Sequence, residues 1–83
     1  MSRSFPFSYQ GRSLNISAVA IDEGWELWIF EGGHKLTCVG SVSIDEAIAA
    51  GRQGEDRILA LAEQARINIL SARIPLRSRG QLA

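Results

Sequence analysis

The chain has 83 residues, 46% hydrophobic and 22% charged, with nine basic and nine acidic side chains and no net charge at neutral pH. That length holds one domain near the lower limit for a self-sufficient core, and the composition is too apolar for a disordered chain. One cysteine, Cys38, excludes an intrachain disulfide framework, and no apolar run approaches the ~20 residues of a membrane span.

The opening Met-Ser-Arg-Ser-Phe-Pro-Phe lacks the apolar stretch of a signal peptide. With a lone thiol, this makes the cytoplasm the expected address. Residues 1–12 read as an N-terminal segment or an edge strand. A turn at Gly11-Arg12 would set Tyr9 opposite Leu14 and Phe7 opposite Ile16. Pro6 restricts such a strand to an edge, because it has no N–H to give to a ladder.

Residues 13–72 read as a β-β-β-α domain. Leu14, Ile16, Ala18 and Ala20 alternate with Ser13, Asn15, Ser17, Val19 and Ile21. Trp25, Leu27 and Ile29 alternate with Glu26, Trp28 and Phe30. Leu36, Cys38, Gly40 and Val42 alternate with Lys35, Thr37, Val39 and Ser41. A period of two predicts strands with one buried face.

Gly32-Gly33 suits a two-residue hairpin loop with positive φ at both positions. That loop pairs Phe30 with Lys35, Ile29 with Leu36, Leu27 with Cys38 and Trp25 with Gly40. A Glu23-Gly24 loop pairs Ala20 with Leu27 and Val19 with Trp28. Both hairpins then agree on the inward face, whereas a slip of one residue would invert every side chain.

Ser43-Ile44-Asp45-Glu46 is a capping box: the serine hydroxyl accepts from the backbone three residues on, and the glutamate reaches back. Ala47, Ile48, Gly51, Ile58, Leu61, Ala62, Ala65 and Ile69 then recur at helical spacing. The expectation is one long helix with Gly51 and Gly54 on its inward stripe, each costing up to ~1 kcal/mol relative to alanine. The alternative is that the glycines end one helix and Gly54-Glu55-Asp56 opens another. Pro75 stops the helix, and residues 73–83 read as a basic flexible tail. The predicted fold is thus α+β: an antiparallel meander of three strands, or four with the N-terminal one, packed on one C-terminal helix.

Little chemistry is on offer. His34 is the sole histidine, and as residues of one strand His34 and Cys38 stand about 13 Å apart, too far for a dyad. Zinc wants three or four nitrogen or sulfur ligands, and neither glycine pair has the spacing or the terminal lysine of a phosphate loop. No catalytic residue, metal ligand or cofactor is expected, and the chain reads as a non-enzyme.

The outward sheet face is more informative. Val19, Ile21, Trp28, Phe30 and Val39 all point where polar residues belong, and exposed apolar patches with aromatic anchors mark interfaces. These five residues are the candidate contacts for a protein partner or a second copy. The competing expectation is that Phe5, Phe7 and Tyr9 fold over the patch and cover it. Charge offers a second reading. All nine acids lie between Asp22 and Glu63, while the last twenty residues hold four arginines and no acid. Arg12, Arg66, Arg73, Arg77 and Arg79 are the candidates for non-specific nucleic-acid contact by a basic arm.

Tyr9-Gln10-Gly11, Gly24-Trp25 and Ser43-Ile44-Asp45-Glu46-Ala47 carry a resemblance over roughly residues 7–70. The chain resembles short uncharacterised strand-strand-strand-helix proteins of Burkholderia-type proteobacteria, and that likeness implies the layout without an activity. The layout is also similar to AP2-type domains, which would imply DNA reading from the sheet. Here, however, the strands bear Glu26, Glu31 and only Lys35, and phosphate contacts require basic groups. HicB-type domains share the Ser-x-x-Glu-Ala helix start, which would imply a toxin partner; their Pro-Gly-Cys strand end is missing.

Overall fold

Alternation of apolar and polar side chains folds residues 3–43 into four antiparallel strands, and capped helices follow. The computed structural model describes residues 3–71. β1 (Arg3–Tyr9), β2 (Arg12–Ile21), β3 (Gly24–Glu31) and β4 (His34–Ser43) form one sheet in the order β1-β2-β3-β4, followed by α1 (Ile44–Arg52) and α2 (Arg57–Leu70).

The N-terminal segment is therefore a full strand, and the three-strand expectation is corrected to four. Its turn is Gln10-Gly11, not Gly11-Arg12, with φ of 51° and 76° at the two positions. Positive φ at both central residues suits the twist of a tight hairpin. Phe7 consequently pairs with Leu14 and Phe5 with Ile16. The second loop is Asp22-Glu23, which sets Ala18 opposite Leu27 and Ser17 opposite Trp28. Each pairing differs from expectation by two positions, so the faces survive, because the side-chain period is two.

The third hairpin turns at Gly32-Gly33 and pairs Phe30 with Lys35, as the sequence indicates, but two bulges follow. Leu36 and Val39 are the unpaired extra residues, so Ile29 meets Thr37, Trp28 meets Cys38, Leu27 meets Gly40 and Trp25 meets Val42. The first bulge inverts the pleat and the second restores it. Cys38 thus faces outward and is exposed, correcting its expected inward place, and Val39 packs against the core. Val39 drops out of the candidate patch for that reason.

The helical half is two helices, not one. Ser43 forms the expected capping box with Glu46 at the start of α1. The stop comes from Gly54 at φ 74°. Glu55 N–H reaches Ala50 O at 2.9 Å and Gly54 N–H reaches Gly51 O at 3.1 Å, the paired bonds of a Schellman ending. Asp56 then caps α2 by accepting from Leu59 N–H at 3.0 Å.

Leu14, Ile16, Ala18, Leu27, Ile29 and Val42 from the sheet meet Ile58, Ala62, Ala65 and Ile69 from α2 in one core. Gly51 and Gly54 are exposed, with open space where a Cβ would be. They do not line the inward stripe. Ile48, expected there too, is 50% exposed. The nine-residue α1 turns only Ala47 onto the core and buries nothing fully. The glycine that does admit a helix is Gly40, where a Cβ would lie 3.0 Å from Leu61 Cδ2.

Candidate interaction face

Both helices lie on one side of the sheet, and the described residues leave the other side open. Phe5, Phe7 and Tyr9 pack on the helix-side core. They extend the sheet rather than fold across its outer surface, so the covering expectation is overturned. The open face carries Ser4, Pro6 and Ser8 from β1, then Ser13, Asn15, Ser17 and Val19 from β2. β3 contributes Glu26, Trp28 and Phe30, and β4 contributes Lys35, Cys38 and Ser41. These assignments follow from alternation with the core residues and from the register.

Trp28 sits at its centre, outside the core, between Ser17 and Cys38. Its indole is held from two directions. Nε1–H donates to Glu26 Oε1 at 3.2 Å, and Lys35 Nζ stands 4.6 Å from the ring centroid. A cation over a half-buried indole contributes about 1 kcal/mol. The ring therefore has a set orientation before anything touches it. Phe30 lies one pleat away on the same strand, opposite Asn15 and Lys35.

A shallow depression of about 400 Å³ adjoins Phe30, bounded by Pro6, Ser13, Asn15, Ser17 and the Gly32-Gly33 turn. Asn15 Nδ2 donates to Ser17 Oγ at 3.0 Å, while its buried Oδ1 has no hydrogen-bond partner among the described residues. An unmet acceptor of this kind costs about 1–3 kcal/mol. No property of the isolated sequence marks Asn15, because the deficit depends on its neighbours in three dimensions.

The remaining candidates scatter. Val19 is opposite Glu26 instead of Trp28, and Ile21 is 42% exposed at the end of β2 beside the Asp22-Glu23 turn. Ile44 stands near it, its N–H bonded to Glu23 O at 2.9 Å, and is 45% exposed. The compact patch is thus Trp28 and Phe30 with Val19 at its margin.

The basic candidates do not converge. Arg12 makes a bidentate contact with Glu31, Nε to Oε2 at 3.0 Å and Nη2 to Oε1 at 2.8 Å. That hydrogen bonding raises the guanidinium pKa against the opposing effect of burial. Contact with a phosphate would require breaking the pair. Arg66 is exposed on α2, and Arg73, Arg77 and Arg79 lie outside the described residues, as does the expected tail. His34 pairs across the turn with Glu31 and is exposed. Among the described residues no three His, Cys, Asp or Glu side chains cluster as a metal ion needs. Nor is any helix among them long and apolar enough to cross a membrane.

No protein-family model, curated protein or solved structure matches this chain.

Proposed function

We propose that the chain is a non-catalytic interaction module that binds a protein partner, or a second copy of itself, through the open sheet face. One observation carries the reading: an aromatic anchor, Trp28, is preset by Glu26 and Lys35 on the side of the sheet that neither described helix covers. Tryptophan is among the residues enriched at interface hot spots. A cytoplasmic address belongs to the same proposal, because Cys38 is an exposed thiol on the binding face and would stay reduced there.

The test is Trp28→Ser. The side chain adds nothing to the core, so circular dichroism and melting should change little. Association, read by sedimentation and by capture of the cognate protein, should weaken at least tenfold, as for a central hot-spot residue. Unchanged association on both readouts would remove the proposal.

A further inference from the structure

The face has an internal symmetry that suits one occupant. Ser4, Ser17, Trp28 and Cys38 form a single row across all four strands. Along β3, Glu26 lies one pleat to one side of this row and Phe30 one pleat to the other. Ser41 stands beside Glu26, and Lys35 stands beside Phe30. The two charges near the centre are therefore opposite in sign and set on opposite sides of the indole.

We infer that two copies of this chain pack these faces together about a two-fold axis lying along that row. The inference rests on reading the face as an interface and narrows its occupant to a second copy. Rotation about the row exchanges the two ends of β3. Lys35 of each copy then stands over Ser41 of the other, one strand (~4.8 Å) from that copy's Glu26 and within reach of it, giving two equivalent ion pairs, while Trp28 meets Trp28. An axis along β3 through Trp28 would instead set Glu26 against Glu26. A self-complementary patch is what an isologous dimer requires.

Other modes of self-association are obstructed. The β1 edge carries Pro6 at its middle, and the β4 edge carries two bulges. Both features discourage the addition of a strand. The opposite side of the sheet is covered by helices. The free face is also large enough: four strands at ~4.8 Å and eight residues at ~3.3 Å give a footprint of roughly 500 Å². Side-chain relief raises the accessible area of that footprint toward the ~800 Å² per partner of a standard interface. Sheets packed in this way align to within about 30° and lie about 10 Å apart, a gap that a lysine and a glutamate can span together.

Charge reversal tests the geometry. Lys35→Glu alone and Glu26→Lys alone each place like charges across the axis, and each should weaken the dimer about tenfold or more. Mixed in equal amounts, the two variants should form a heterodimer near native affinity, because both cross-axis pairs are then opposite in sign. The single cysteine gives a second readout. Cys38 faces its own counterpart, so a bifunctional maleimide spanning about 10 Å should link two chains at concentrations where the dimer forms.

A native chain that stays monomeric to millimolar concentration overturns the inference. The interface reading would survive that result with a different protein as occupant, and Trp28→Ser would still test it. A dimer indifferent to both reversals and to Trp28→Ser overturns the inference, and capture of another protein that Trp28→Ser also leaves unchanged overturns the interface reading as well. A dimer that Trp28→Ser weakens, but whose reversed variants neither weaken alone nor recover when mixed, overturns the axis.

Discussion

Adding one methyl group at Gly24 should remove much of the protein's stability, while the same change at Gly51 should add to it. Gly24 opens β3 at φ 154°, and a Cβ there would collide with Val42 O and lie 2.8 Å from Ser43 Cα. Both obstacles are backbone, so no rotamer change relieves them. The β3–β4 pair must separate where Ile44 N–H joins Glu23 O and α1 begins. Overpacking of this kind costs about 1–3 kcal/mol, and the unfavourable φ adds about 1 kcal/mol. A total of roughly 2–4 kcal/mol compares with an overall stability of about 5 kcal/mol for a domain this small. Gly51 has nothing within 4 Å of its notional Cβ and sits in α1, so alanine there should gain up to ~1 kcal/mol of helix propensity. Urea titrations followed by far-ultraviolet circular dichroism measure both. A Gly24→Ala protein within about 1 kcal/mol of native would refute the close strand approach from which β3, and with it Trp28, takes its register.

Further outcomes are expected elsewhere. The Arg3 guanidinium, hydrogen-bonded at 2.9 Å, together with the Leu59 N–H, holds the Asp56 carboxyl down to about 2 from an ordinary 3.8. Its folded pKa is depressed, so the stability it contributes is complete above pH 3.8 and is lost as pH falls toward 2. Asp56→Asn keeps a capping side chain and should flatten that acid limb. The change should be modest, about 0.5 kcal/mol, because both partners are well exposed. Ser43→Ala removes the hydroxyl that accepts from Glu46 N–H and should cost about 1 kcal/mol in thermal melts. Chains lacking residues 73–83 separate the two binding readings: self-association should persist. Salt-dependent binding of RNA by the intact chain that disappears on truncation would favour the basic arm instead.

Much of the fold is legible in the sequence because its signals are local. Alternation sorts Leu14, Ile16 and Ala18 from Ser13, Asn15 and Ser17, and the errors at two turns were of even length, which leaves faces unchanged. The bulges are not legible. Leu36 and Val39 look like any other strand residues, and their place outside the ladder shows only when β4 is laid against β3. That is why Thr37, Cys38 and Val39 exchange sides, and why alternation alone does not place the thiol on the open face. The helix break was present as an alternative in Gly54-Glu55-Asp56. A single amphipathic stripe through Gly51 argued against it, and that argument fails because Gly54 adopts a left-handed φ. Trp28 and Phe30 were identifiable as outward from parity alone. What fastens the indole, Glu26 two residues before it and Lys35 across the hairpin, required the register.

Isotope-edited NMR of the Trp28 indole protons is the most direct test of whether this ring belongs to the open face. The structure predicts through-space contacts to the side chains of Lys35, Ser17 and Cys38. Contacts from that ring to Leu61, Ala62 or Ala65 would put it beneath the helices and contradict the account.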